Sequence, residues 1–137
     1  MTFVLDASIA LAWCFADQTT PISESALDRL GHEEALVPGL WALEVANALV
    51  SAERRGRLKP AQTTRFLELL GQLPITVEEI GRDAILTTVL DLARASGLTA
   101  YDASYLALAA ASGVPLASRD EALRRAALGL GVALVTP

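Results

Sequence analysis

The sequence reads as an α/β domain whose strands form a parallel sheet with helices over both faces. Short apolar runs that do not alternate recur along all 137 residues, and longer helical segments separate them. Strands buried on both faces show that pattern, because neither side of the sheet meets solvent. Glycine or proline closes most of the segments, and no repeat, linker or low-complexity stretch interrupts them.

Thr2-Phe3-Val4-Leu5 is the first strand. Asp6-Ala7-Ser8 starts an apolar helix reaching about Phe15, with Asp6 or Ser8 able to cap it. A second helix runs from about Ile22 to Leu30 and stops at Gly31. Ala35 to Val37 is a short strand ended by Pro38-Gly39, and a long helix follows from about Leu40 to Arg55, stopped by Gly56. Lys59-Pro60 precedes a helix from about Ala61 to Leu70, on which Phe66, Leu67 and Leu70 have the spacing of a core face. Ile75 to Val77 is a third strand. Helices follow at Arg82 to Ala95, ended by Gly97, and at Asp102 to Ala111, ended by Gly113. Leu116 to Ser118 is strand-like, Glu121 to Leu128 helical, and Val132 to Val135 a last strand.

The length suits one domain over residues 1–137, with a sizeable core. The chain is 53% apolar, with a mean hydropathy of +0.41. Asp6, Asp17, Glu44 and Asp102 nevertheless break every apolar stretch before it reaches the length of a membrane span. No basic segment precedes an apolar region at the N-terminus, so a signal peptide is not expected. Cys14 is the only cysteine, which excludes an internal disulfide and a cysteine-rich zinc site. A soluble cytoplasmic protein is the expectation. The formal charge of −5 argues against binding nucleic acid by bulk electrostatics. Local distribution matters more, and Arg54, Arg55, Arg57 and Lys59 cluster in one stretch.

Four acids stand where a carboxylate needs an explanation. Asp6 closes the first strand, Glu44 interrupts the apolar stretch from Leu40 to Val50, Asp102 opens an apolar helix, and Asp120 follows the fourth strand. Ionised carboxylates are costly in apolar surroundings unless paired, hydrogen-bonded or bound to metal. In open α/β sheets the functional crevice lies beyond the carboxyl ends of the strands, where Asp6 and Asp120 fall. Each aspartate, taken singly, also reads as a helix N-cap. Glu44 shares a helical stripe with Asn47 and Ser51 that leads toward Arg54 and Arg55. Those arginines suit a helix C-terminus or a phosphate path, and Arg119 beside Asp120 suits a phosphate contact or a solvated surface.

The rest of the inventory narrows the chemistry. With one histidine, His32, a two-histidine acid–base mechanism is excluded, and no phosphate-loop or G-x-S-x-G motif exists. Hard oxygen ligands without nitrogen or sulfur suit Mg²⁺ or Mn²⁺. Two like charges 4 Å apart repel by roughly 4 kcal/mol at an effective dielectric of 20. Four gathered carboxylates therefore need a cation to stay ionised, and a cation can activate water and stabilise charge on a phosphate. Metal-dependent phosphodiester hydrolysis is the leading reaction class.

Leu5-Asp6-Ala7-Ser8, Glu44-Val45-Ala46-Asn47-Ala48-Leu49, Tyr101-Asp102-Ala103 and Ala117-Ser118-Arg119-Asp120 resemble the ordered motifs of PIN-domain nucleases. The short single-domain form is similar to VapC-type toxins, and the resemblance covers essentially the whole chain. It implies a three-layer α/β/α sandwich with a central parallel sheet, and an acidic pocket for one or two Mg²⁺ or Mn²⁺ ions. Asp6, Glu44, Asp102 and Asp120 would be its catalytic and metal-binding carboxylates, with Ser8, Asn47 and Ser118 in support. Ser118 stands where a threonine is common. The resemblance further implies an endoribonuclease that is homodimeric and held inactive by a cognate antitoxin; on that reading the phosphate candidates Arg54, Arg55 and Arg119 become candidate RNA contacts. A phospho-acceptor receiver domain fits less well, since an acidic pair after the first strand and a lysine after the last are both missing. A non-catalytic binding or scaffold protein, with its aspartates as caps, is the other reading.

Overall fold

The computed structural model describes residues 1–137. Four strands, β1 (Thr2–Leu5), β2 (Glu34–Val37), β3 (Ile75–Val77) and β4 (Leu116–Ala117), form one sheet in the order β3-β2-β1-β4. All three pairings are parallel, with Phe3 opposite Ala35, Leu5 opposite Ala117 and Leu36 opposite Thr76. Phe3, Val4 and Leu5 have no exposed surface, as expected for the unalternating central strand.

Eight helical segments flank the sheet: α1 (Ala7–Cys14), α2 (Pro21–Arg29), α3 (Leu40–Arg54), α4 (Pro60–Gly71), α5 (Arg82–Ala84), α6 (Leu90–Ser96), α7 (Ala100–Ser112) and α8 (Glu121–Leu130). The central parallel sheet between helices matches the expected α/β architecture. Helix α7 packs on β1 and β4 and carries α6 and α8 beside it, while α1 packs against α2 and α3. The main core joins Phe3, Leu5, Ile9, Tyr105, Leu106, Leu116 and Leu123, all fully buried. No helix is long and apolar enough to cross a membrane.

Local chemistry accounts for most boundaries. Thr20 and Ser23 cap α2 reciprocally, with Pro21 in its first turn. Gly113 and Gly131 end α7 and α8 in the left-handed conformation, which a side chain would strain.

Three expectations need correction. Val132 to Val135 is not a strand but a single parallel bridge between Leu134 and Leu116. Its partner β4 is only two residues long before the chain turns at Ser118, so no ladder can extend. The helix from Arg82 is not uniform, because Ile85–Val89 between α5 and α6 has π geometry. Ile85, Thr87, Thr88 and Val89 are β-branched, and the Thr87 hydroxyl donates to the Asp83 carbonyl at 2.7 Å, competing with the regular ladder. On α4, Phe66 is buried but Leu67 is 48% exposed, because the helix turns only one edge of its apolar stripe inward.

Burial therefore ranks the apolar positions energetically. Leu106→Ala in the core is expected to cost about 2–5 kcal/mol through lost burial and a residual cavity. Leu67→Ala is expected to cost no more than about 0.5 kcal/mol. Urea unfolding of the two variants checks the contrast, and equal losses would contradict the assigned packing.

Candidate active site

The strand order reverses at β1: β2 and β3 lie on one side of it and β4 on the other. Such a reversal opens a crevice at the carboxyl ends of the two adjoining strands. Asp6 follows β1 there, and its backbone N–H still donates to the Ala117 carbonyl of β4 at 3.0 Å. Its side chain is buried, and Oδ2 accepts hydrogen bonds from the Ser118 hydroxyl at 2.6 Å and the Ser8 hydroxyl at 2.8 Å. Each serine is itself oriented from behind. The Asp120 amide donates to Ser118 Oγ at 3.0 Å, and the Arg119 amide donates to Ser8 Oγ at 3.1 Å. Burial pushes the Asp6 carboxyl above the usual aspartate range, against the pull of the two hydroxyls, and the Asp120 charge raises it further.

The other acids come from three helices. Glu44 lies one turn into α3, half-buried, and accepts a short hydrogen bond on Oε1 from the Tyr105 hydroxyl. Burial raises its carboxyl, the Tyr105 bond opposes this, and the charges of Asp6 and Asp102 raise it again. Asp102 sits in the first turn of α7. Burial raises its carboxyl too, followed by the charges of Asp6 and Asp120, with the Thr99 hydroxyl acting the other way. Asp120 is exposed at the start of α8, where Oδ1 accepts from the Leu123 amide at 2.9 Å.

The cap explanation thus separates the three aspartates. It holds for Asp120. It fails for Asp6, which occupies the N-cap position of α1 without making the capping hydrogen bond. It fails for Asp102 as well, because Thr99 caps α7 by accepting from the Asp102 amide at 3.1 Å. Helix N-termini at Asp6, Asp102 and Asp120 bring positive dipole ends to the same crevice, which favours anionic groups.

Neighbouring acid charges raise the proton affinity of Asp6, Glu44 and Asp102, yet no three of the four acids form the tight cluster of a preformed metal cage. Magnesium retains several waters and takes only one or two carboxylates directly, so a looser all-oxygen pocket fits it. The same donors suit Mn²⁺ and offer nothing to a soft metal.

The remaining candidates divide. Asn47 is brought beside Glu44 in an open crevice of about 630 Å³ with Leu40, Leu43, Ala46, Val50 and Tyr101. Arg119 is half-buried at the rim of the pocket, its Nη1 donating to Gln18 Oε1 at 3.2 Å and reaching the Ser8 carbonyl at 3.5 Å. Arg54 and Arg55 are not brought in. They are exposed at the far end of α3, and ten residues of helix separate Arg54 from Glu44 by about 15 Å. Tyr105 was missed by sequence reasoning, although it lies three residues beyond Asp102 and so shares its helix face.

The PIN domain family model matches residues 3–128. Ribonuclease VapC3 of Pyrobaculum aerophilum is 32% identical over 123 residues, covering 90% of this chain and 92% of that protein. Among solved structures, the crystal structure of PAE2754 from Pyrobaculum aerophilum superposes with a TM-score of 0.71 at 27% identity, covering 92% of this chain and 84% of that one. A match to nearly the whole chain, together with a full-length relative above 30% identity, places the protein: it belongs to the PIN-domain family, in its VapC type.

Proposed function

We propose that the chain is a Mg²⁺-dependent endoribonuclease, with Mn²⁺ as a substitute, acting in the cytoplasm as the toxin of a toxin–antitoxin pair. The observation that carries this reading is the gathering of Asp6, Glu44, Asp102 and Asp120 at the switch between β1 and β4. The likeness to Ribonuclease VapC3 supports RNA as substrate.

Asp6, Asp102 and Asp120 would hold the cation, with Ser8 and Ser118 fixing the Asp6 carboxylate. When bound, the cation supplies positive charge for the scissile phosphate and lowers the pKa of a water. Glu44 would be a further ligand or would orient the attacking water. In hydrolysis the water oxygen bonds to phosphorus and gives its proton to a carboxylate, and the bond from phosphorus to the leaving ribose oxygen breaks as that oxygen takes a proton. Arg119, tethered at the rim, would meet a backbone phosphate, while Arg54 and Arg55 would contact only RNA that runs along α3.

A homodimer and a cognate antitoxin belong to the same proposal. The large apolar side chains left open on the surface, Leu43 at 73% and Leu86 at 63% exposure among them, support association with protein partners.

Cleavage of labelled RNA by purified protein tests the reading. Wild type is expected to cleave with Mg²⁺ or Mn²⁺ and to stop in EDTA. Asp6→Asn is expected to fold normally and lose about a hundredfold or more, since cation-held charge stabilisation is worth several kcal/mol. Equal cleavage by both would end the assignment, and silence from both, with no calorimetric binding of Mn²⁺, would favour the scaffold reading.

The raised carboxyls add a stability test. A folded-state pKa above the unfolded value means that the folded protein holds the proton more tightly. The contribution of Asp6, Glu44 and Asp102 is therefore greatest below the ordinary carboxylate range and is lost as pH rises through the raised values. In EDTA, Asp6→Asn should accordingly match or exceed the wild-type Tm at pH 8 and lose that advantage near pH 4. Added Mn²⁺ should raise the Tm of wild type far more than that of the variant. Thermal melts across this range check both signs.

A further inference from the structure

Tyr105 is fully buried, yet its hydroxyl emerges at the acidic pocket and donates to Glu44 Oε1. The Ala7 amide lies beside the same phenol oxygen. One hydroxyl thus touches the segments that follow β1 and form α3, and it is itself carried by α7. Those three segments supply Asp6, Glu44 and Asp102. We propose that Tyr105 is a positioning residue that fixes the Glu44 carboxylate toward Asp6 and Asp102 and so presets the pocket for a divalent cation. The proposal rests on the reading of this pocket as a metal-dependent centre.

A half-exposed glutamate on a helix distributes over many rotamers, and only the fraction pointing inward can share a cation with the aspartates. A buried phenol has few rotamers of its own and is locked by packing, so it is a rigid donor. The bond leaves Oε2 of Glu44 for the cation or its water. Tyr105 does not compete as a ligand, because its ring is held in the core and its hydroxyl is engaged by Glu44 Oε1. Partners behind a metal-binding carboxylate typically matter by 10- to 100-fold in affinity.

Tyr105→Phe keeps the packed ring and removes only the donor. Calorimetric titration with Mn²⁺ is expected to show at least tenfold weaker binding in this variant, with a Tm within a few degrees of wild type. RNA cleavage should lose kcat while KM stays near wild type. In a Glu44→Ala background the same change should cost nothing further. Unchanged Mn²⁺ affinity in Tyr105→Phe overturns the positioning role, and so does an equal loss with and without Glu44, which would mark a purely structural tyrosine. Should Tyr105→Phe fail to fold, Glu44→Asp draws the carboxylate back from the phenol, and wild-type affinity there overturns the proposal too. A wild type that binds no Mn²⁺ defeats the metal-centre reading itself, and the positioning role falls with it.

Discussion

The pairing of β1 with β4 brings a buried carboxylate into the seam between them, and the surroundings of the pocket answer to that burial. Asp6 is 5% exposed at the end of the interior strand β1, where an unsatisfied negative charge would be expensive. Two serine hydroxyls from opposite sides meet one of its oxygens, and each is held by the backbone of the β4–α8 turn. That turn cannot move without releasing Asp6. The sheet register and the polar site are therefore one structure, and β4 serves chiefly to deliver Ser118 and Asp120.

Hydroxyls moderate the burial of Asp6 without cancelling it, so the acids remain in tension. Asp6, Glu44 and Asp102 all sit above their ordinary proton affinities, with burial as the first cause and neighbouring charge behind it. A site at ease with its own charge would have little use for a cation. Here the protein stores a preference for positive charge that protons satisfy at low pH and a hard divalent ion would satisfy at neutral pH. Stability at neutral pH is given up for that preference, as is common where a pocket must act.

What could be read from the sequence was local. Short apolar runs gave β1, β2 and β3, the glycines at 97 and 113 gave two helix ends, and acids at strand ends gave the crevice. Failures came where tertiary packing decides. A helical stripe does not reveal how far a helix leans, so Leu67 was assigned to the core though half exposed. Val132 to Val135 has strand propensity, but its partner strand is too short to use it. Asp102 resembled a cap because nothing local ranks it above Thr99, and both lie at the start of one helix. Tyr105 could have been suspected from its spacing to Asp102, but its bond to Glu44 spans 61 residues and exists only in the folded chain.

The bridge at Leu134 looks like a strand that failed, but it covers one residue of a sheet edge. Leu116 turns its N–H and C=O away from β1, and the bridge segment takes both, through the Ala133 carbonyl and the Val135 amide. The outer rim of β4 offers no free pair on Leu116 for a strand from another chain. Farther along, the Ser25 hydroxyl donates to the Thr136 carbonyl and ties the segment to α2. Strand addition directly onto Leu116 is thereby blocked beside the acidic pocket, and a partner on that flank meets the Val132–Val135 segment before it meets β4.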